Sequence, residues 1–491
     1  MTADFADNGP SPRELWQMDR DHALHPWANF GPFEKDGSLI MARGEGCYLW
    51  DVEGKRYFDA VGGMWCTNIG LGRAEMAQAI GDQAMALAFS NSFVDMANGP
   101  SARLAAKLAE LAPGDLNRVH FTTGGSTAVD TAVRVVSYYQ HARGFPQKTD
   151  IVAREASYHG STYLSQSVGK RDGDRIEEFR YKTDGIHHLA CPNPYRRPDG
   201  MTEAQFCDHL VVEFEALIAR VGADRIGGFI AEPIQASGGI IIPPQGYLRR
   251  MWEICQRHEI LFIADEVVTA FGRVGHWFAS KDVFDIQPDM ITSAKGLTSG
   301  YLPLGALILS DRIWDVMAEG GQRWFTTGFT YSGHPVSCAA GLKNIEIMER
   351  EDLLANATKV GSYFQTRLKS LEDLPLIGNV RGMGLMLCVE SVSDKVTKAP
   401  LPDEANESKR ISDTAEAMGL IVRPMGHLNV MSPPLTLTEN DVDFIAETLE
   451  KAIRKVTDDL TREGHFRPAD LTTSTHSDDL NKPGSARLRP I

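Results

Sequence analysis

Between Val61 and Ser332 short, nearly unbroken apolar runs alternate with stretches of helical periodicity. The runs are Val119-His-Phe-Thr122, Ile151-Val-Ala153, Gly228-Phe-Ile-Ala231, Ile260-Leu-Phe-Ile-Ala264, Met290-Ile-Thr292 and Gly305-Ala-Leu-Ile-Leu309. Strands that are apolar on both faces must be covered on both faces, which predicts a buried, mostly parallel sheet in an α/β fold. A sheet of that kind holds its ligands beyond the C-terminal ends of the strands. Asp265, Glu232 and the Gly124-Gly125-Ser126 turn all fall at such ends, and Lys295 lies just past one.

The flanking sequence is different. Cys47-Tyr-Leu-Trp-Asp51 and Arg56-Tyr-Phe-Asp59 bracket Glu53-Gly54 and predict a β-hairpin turning at Gly54. Towards the other end, helices mix with strands near Gly384-Leu-Met-Leu-Cys388 and Leu420-Ile-Val422, as in a smaller α+β unit. The expected divisions are an N-terminal segment of the small domain (1–60), a large domain (61–335), the C-terminal small domain (336–463) and a polar tail (464–491), extended or disordered.

The bulk numbers exclude several classes. A net charge of −15 argues against nucleic acid or an anionic membrane as the main partner. Seven scattered cysteines with no Cys-x-x-Cys pair fit reduced thiols rather than a disulfide framework or a zinc site. The start of the chain is polar and acidic, and no apolar run nears the ~20 residues a span needs. A cytoplasmic protein is expected. His187-His188 and His258-Glu259 lack metal-site spacing and are expected at the surface or on helices, so no metal is expected.

Five segments carry chemistry. Thr122-Thr-Gly-Gly-Ser-Thr-Ala128 joins a strand to a helix, where glycines, the hydroxyls of Ser126 and Thr127 and the helix N-terminus can cup an anion. It is neither a Walker A loop nor Gly-x-Gly-x-x-Gly, and a Ser-capped Gly-Gly turn is often merely structural. In Ser157-Tyr-His-Gly160, Tyr158 can stack on a flat heterocycle for which Gly160 leaves room; packing at a strand end explains it equally well. Ile230-Ala-Glu-Pro-Ile-Gln-Ala-Ser-Gly-Gly239 sets Glu232 and Gln235 beyond a buried strand. Glu232 needs a partner if buried, and Gln235 can donate to a phenolate oxygen.

Asp265 and Lys295 together weigh most. A lysine between the small run Met290-Ile-Thr-Ser-Ala294 and a glycine, and an acid closing an apolar strand, are each unusual. Pyridoxal phosphate (PLP) requires both: a lysine that bonds it covalently and serves as a base, and a carboxylate that keeps its pyridine nitrogen protonated. A lone lysine is more often a snorkelling surface residue; the pairing with Asp265 argues otherwise.

With these residues in place, the chain resembles the class III PLP-dependent aminotransferases of fold type I, from about Trp27 to Pro434. The motifs are Phe262-Ile-Ala-Asp-Glu-Val-Val-Thr-Ala-Phe-Gly-Arg273, Ser293-Ala-Lys-Gly-Leu-Thr-Ser-Gly-Tyr-Leu-Pro-Leu-Gly305 and Thr330-Tyr-Ser-Gly-His-Pro335. The resemblance implies a large domain with a mostly parallel seven-stranded sheet, a smaller α+β domain built from both chain ends, and a homodimer with shared active sites. It implies Lys295 as the Schiff-base lysine, Asp265 as the pyridinium partner, and Tyr158 and Val267 on the two ring faces. Gly125 and Ser126 would hold phosphate, joined by Thr330 of the other subunit.

Two details resemble the ω-amino acid or amine:pyruvate branch. Gly62-Gly-Met-Trp-Cys-Thr-Asn68 looks like its substrate-pocket segment, with Met64 and Trp65 lining the site. Arg423, in Gly419-Leu-Ile-Val-Arg-Pro424, matches an arginine that grips an acceptor carboxylate and swings away for an uncharged donor. Two positions depart from the wider family. Ser237 stands where the ornithine and 4-aminobutyrate branch carries a glutamate that neutralises this arginine, and Thr127 stands where the phosphate cup usually has a glutamate.

The implied reaction is a ping-pong transfer from an ω-amino acid or primary amine to a 2-oxo acid, with pyruvate expected. The alternatives are an aminomutase or racemase of the same fold, and a non-catalytic dimeric binding protein. The sequence does not select the donor (β-alanine, taurine, a diamine or an aryl-alkyl amine), nor dimer against tetramer.

Overall fold

The computed structural model describes residues 9–319, 321 and 323–467. Fifteen strands form three sheets among these residues. In chain order they are β1 Met41–Glu45, β2 Tyr48–Asp51, β3 Arg56–Asp59, β4 Leu116–Thr122, β5 Asp150–Arg154, β6 Ile186–Leu189, β7 Ile226–Ala231, β8 Leu261–Asp265, β9 Met290–Ser293, β10 Gly305–Ser310, β11 Ile377–Met383, β12 Met386–Ser391, β13 Leu420–Ile421, β14 Arg423–Met425 and β15 Leu428–Met431.

The central sheet has seven strands in the order β4-β10-β9-β8-β7-β5-β6. Only β10 runs antiparallel to its neighbours, β4 and β9; the other pairings are parallel. Every residue of β5, β7, β8, β9 and β10 is buried, as strands covered on both faces require. Along β7 and β8 successive side chains point to opposite faces. Phe229 and Phe262 pack with Phe214 of helix Glu203–Val221 and Met251 of helix Tyr247–Arg257, in the larger core. Ile230 and Ile263 pack on the other face against Val129, Ala132 and Val136 of helix Gly125–Ala142. The result is a helix–sheet–helix sandwich whose strand ends carry the polar residues.

The hairpin expected around Gly54 is present: β2 and β3 pair antiparallel, and Gly54 takes the left-handed backbone (φ 88°). Its sheet runs β1-β2-β3-β13, so the first strands of the chain are completed by one from near its end. The pairing is parallel, Phe58 with Leu420 and Asp59 with Ile421. A third sheet, β11-β12-β15-β14, completes this smaller α+β part.

Two expectations need correcting. His187 and His188 lie on β6, neither on a helix nor at the open surface; their Nε2 atoms approach Asp150 Oδ2 (3.0 Å) and Val168 O (2.8 Å). Two adjacent polar rings broke the apolar pattern by which the other strands were recognised. Gly384 lies in the turn between β11 and β12, so the strand predicted from Gly384 begins two residues later. The tail is described only as far as residue 467, with Gly464 closing the last helix in the left-handed conformation (φ 83°); the remainder of the 464–491 expectation lies outside the described residues. No helix among the described residues is long and apolar enough to cross a membrane.

Candidate functional site

Beyond the C-terminal ends of β4, β5, β7, β8 and β9 one cavity gathers Gly125, Ser126, Tyr158, His159, Glu232, Ser237, Asp265, Val267 and Lys295. A larger surface cleft, lined by Arg134, Tyr138, Lys182 and Trp324, opens at the opposite ends of β5 and β6 and contains none of these residues. Strand polarity, rather than size, therefore marks the site.

Its floor is Asp265, 3% exposed at the end of β8. Both carboxylate oxygens are engaged. Thr292 Oγ1 (3.0 Å) and the Val267 amide (3.3 Å) donate to Oδ1, and His159 Nδ1 lies 2.6 Å from Oδ2. Glu266, the second acid of the run, turns away. Its Oε2 accepts from Thr269 Oγ1 (3.0 Å) and the Ala279 amide (2.7 Å), and its Oε1 from the Ser280 amide (2.9 Å). One of the two adjacent acids thus faces the cavity while the other fastens a loop.

One wall comes from the turn into helix Gly125–Ala142, whose first amides have no partner within the helix and face the cavity at the positive end of the dipole. Ser126 Oγ accepts from the Ser161 amide (3.0 Å). Thr127 is turned inward: its hydroxyl donates to Gly124 O (2.9 Å) and accepts from the Gly124 amide (3.1 Å). It tightens the turn and is not offered to a ligand. Gly160 (φ 139°) also serves this wall. A Cβ there would lie 2.4 Å from Ser165 Oγ and 2.5 Å from Ser126 Oγ, so the space it leaves is filled by hydroxyls and not by the stacked ring its sequence context predicts.

Tyr158 is anchored through its backbone. Glu232 accepts the Tyr158 amide on Oε1 (3.0 Å) and the Ala236 amide on Oε2 (2.9 Å), the partners a buried acid requires. Burial pushes the Glu232 carboxyl above its usual range. Gln235 stands off the cavity, fully buried, with its Nε2 donating to Glu155 O (2.9 Å). Val267 stands beside Gly125, within 3.0 Å of where a Cβ on that glycine would sit.

Lys295 follows β9 in the left-handed region (φ 42°), an uncommon conformation for a residue with a side chain and one found at functional sites. Gly296 explains the residue after it, since a Cβ there would meet Asn68 Nδ2 at 2.4 Å. Burial lowers the Lys295 amine to about 8, against the opposing pull of Asp265. Its Nζ lies 5.0 Å from the ring centre of Trp65, and the Arg423 guanidinium lies 5.6 Å from the same ring. Trp65 is 3% exposed, holds a left-handed backbone (φ 61°) and links the lysine to the arginine. Met64 Sδ contacts Arg423 Nη1.

Arg423 pairs with no carboxylate among the described residues. A second arginine, Arg171, is stacked 5.1 Å from the rings of both Tyr158 and Trp27, but it is committed to Asp174, with Nε donating to Oδ1 (2.8 Å). Thr330 does not line its own chain's cavity. The sequence reading missed His159, though it stands inside the Tyr-His-Gly segment singled out for its neighbours. It also missed Arg171, whose Arg-Asp-Gly-Asp surroundings look like an ordinary surface turn.

These residues fit PLP. A helix N-terminus with hydroxyls suits a phosphate, a buried carboxylate with a ready-made donor set suits a pyridinium, and a lysine lowered by burial suits an aldehyde carbon.

The profile of the family Aminotransferase class-III matches residues 33–453. Putrescine–pyruvate aminotransferase of Pseudomonas aeruginosa is 38% identical over 442 residues, covering 90% of this chain and 96% of that protein. Among solved structures, a thermostable (S)-enantioselective omega-transaminase from Thermomicrobium roseum superposes with a TM-score of 0.88 at 40% identity, covering 92% of this chain and 100% of that one. The omega transaminase from Pseudomonas jessenii in complex with PMP superposes at 0.89 with 36% identity, covering 91% and 99%. The chain therefore belongs to the class III aminotransferases, the PLP-dependent enzymes of fold type I that pass an amino group from an amine or amino acid to an oxo acid.

Proposed function

We propose that this enzyme takes its amino group from a primary amine or an ω-amino acid and delivers it to pyruvate in two half-reactions at one site. The observation that carries the reading is the convergence of the Lys295 amine, the Asp265 carboxylate and the N-terminus of helix Gly125–Ala142 on a single cavity. Bound PLP supplies an electron-accepting ring and an aldehyde carbon that can carry the amino group. The chain supplies the rest. Lys295 would hold the aldehyde carbon, and its amine, free of that bond, would serve as the base at the donor's Cα proton. Asp265 keeps the ring nitrogen protonated. Gly125 and Ser126 would hold the phosphate of PLP, and Tyr158 and Val267 would pack against its ring. Glu232 holds Tyr158 in place, and Gln235 supports the same loop from behind.

Arg423 receives the acceptor carboxylate; its freedom from any acid among the described residues supports this, as does Ser237 in place of a neutralising glutamate. Met64 and Trp65 line the substrate end. We further infer a homodimer in which Thr330 of one copy reaches the phosphate of the other, since Thr330 lies outside its own cavity. Seven free thiols support a cytoplasmic setting. Units of 1–60 with 336–463, and 61–335, are the proposed domains.

The test is the absorbance spectrum of purified holoenzyme against a panel of amines without acceptor. Bleaching by one class of donor, reversed by pyruvate, is the expected result. Product formed from a single amino acid with no oxo acid present would instead establish a mutase or racemase.

A further inference from the structure

Asp59 closes β3 and is 3% exposed, yet among the described residues no cation acts on its carboxylate. Backbone amides do. Oδ1 accepts from the Val61 amide (3.0 Å) and Oδ2 from the Gly63 amide (2.6 Å). Burial pushes the carboxyl above its usual range, and these amides pull against it. A buried acid without a counter-ion is costly, and an apolar side chain would fill the space without that cost. The polarity of Asp59 is spent on the segment that follows it.

That segment has to be held. Val61 has a right-handed backbone (φ −99°, ψ −17°), whereas Gly62 (φ 61°), Gly63 (φ 65°) and Trp65 (φ 61°) all have positive φ. For a bulky residue such as tryptophan this is a genuine outlier, and it persists only where the surroundings enforce it. A right-handed residue followed by a left-handed one turns successive N–H groups into a concavity that binds an anion. Here the anion is the chain's own Asp59. Ser432 clamps the outer side: its amide donates to Ala60 O (2.7 Å) and its hydroxyl to Val61 O (2.8 Å). The same strand end leads to Arg423. Asp59 pairs with Ile421, and the Ala60 amide donates to Ile421 O (3.1 Å), two residues before the arginine. From these two anchored segments the Arg423 guanidinium and the Trp65 ring meet at 5.6 Å, with Lys295 Nζ 5.0 Å from that ring.

We propose that Asp59 is a positioning residue for the substrate end: its carboxylate, seated in the amides of Val61 and Gly63, enforces the turn that holds the Trp65 ring against Lys295 and Arg423. Without that anion the turn relaxes and the ring withdraws. The substrate end then widens, and Arg423 loses its aim at an acceptor carboxylate. The proposal rests on the reading of Trp65 and Arg423 as the substrate end.

The experiment loads wild-type, Asp59→Ala, Asp59→Asn and Trp65→Ala protein with PMP and follows the return of PLP absorbance on adding pyruvate or phenylpyruvate. Hydrogen–deuterium exchange across residues 59–67 is measured on the apo-proteins. In D59A the segment should exchange about tenfold faster and half-maximal rate should need about tenfold more pyruvate, with the saturated rate falling less than about threefold, as for lost hydrogen bonds to a charged group. The ratio of phenylpyruvate to pyruvate rates should rise by a similar factor. Asn keeps one carbonyl acceptor and holds one of the two amides, so D59N should lie between wild type and D59A. W65A should shift the ratio and the half-saturation in the same direction. Unchanged ratio and half-saturation in D59A, or an equal fall of all its rates, marks a merely structural acid and overturns the proposal. If W65A also keeps the wild-type values, the reading of Trp65 falls instead. A wild-type protein that pyruvate leaves in the PMP form overturns the acceptor reading, and the proposal with it. If D59A does not fold, Gly63→Ala replaces it. A Cβ there stands 3.4 Å from Cys66 Sγ and Thr67 Cγ2, so the space exists and only the backbone (φ 65°, ψ −104°) is disfavoured. The same shifts are expected, and their absence overturns the proposal.

Discussion

At the scale of single residues, the proposed role of Lys295 makes its amine the group that captures the cofactor. Burial lowers it from an ordinary 10.5 to about 8, so between those values it is neutral where an exposed lysine is charged. Only the neutral amine attacks a carbonyl. Capture of PLP by the apo-protein, followed by stopped-flow absorbance, should therefore speed up with rising pH and level off near 8; a rate still climbing towards 10.5 would mean an ordinary, solvated lysine. Lys295→Ala should abolish turnover while leaving PLP bound without a covalent link, seen as cofactor released by denaturant without borohydride trapping. The sequence made Lys295 and Asp265 legible because each breaks a strong local rule. His159 breaks none: a histidine after a tyrosine at a strand end has many possible reasons, and its one reason here is a carboxylate 106 positions away.

At the scale of elements, the turn into helix Gly125–Ala142 shows how a departure from the family pattern is absorbed. Thr127 closes both polar groups of Gly124 with one hydroxyl, so the charge of the usual glutamate is absent but the turn remains fastened. Thr127→Ala should lower stability by ~1 kcal/mol, the usual worth of such a cap, as read from the denaturant midpoint. Gly160→Ala is a sharper test of the cup. A methyl group within 2.5 Å of Ser126 Oγ must push that hydroxyl aside, so PLP should dissociate faster on dialysis while far-UV circular dichroism is unchanged. The strands bearing unbroken apolar runs were readable one by one; β6 was not, because its middle two residues are histidines held by a neighbouring acid and a carbonyl.

At the scale of the whole molecule, Arg273 joins parts that sequence distance keeps apart. It is fully buried, donating through Nη2 to Asn68 Oδ1 (2.7 Å) and through Nη1 to Leu385 O (3.2 Å) and Pro433 O. Burial holds its guanidinium at about 10, still charged at neutral pH. Arg273→Ala strips three acceptors of a charged donor and should destabilise the fold by about 3 kcal/mol or more, with a lower urea midpoint. The motif that contains Arg273 was visible in the sequence, but its reach to residues 68, 385 and 433 was not, since nothing in a linear pattern reports which carbonyls a buried cation will find.

The parallel pairing of β3 with β13 has a consequence in time. Residues 59 and 421 are neighbours in the finished sheet, yet at ordinary synthesis rates the second leaves the ribosome roughly twenty to seventy seconds after the first. Met64 and Trp65 follow directly on one of these strands and Arg423 on the other. For that interval the nascent chain carries an open strand edge on β3, and Met64 and Trp65 are made without Arg423. On the proposed assignment of Met64, Trp65 and Arg423, the substrate end is therefore completed only once this second strand has been made.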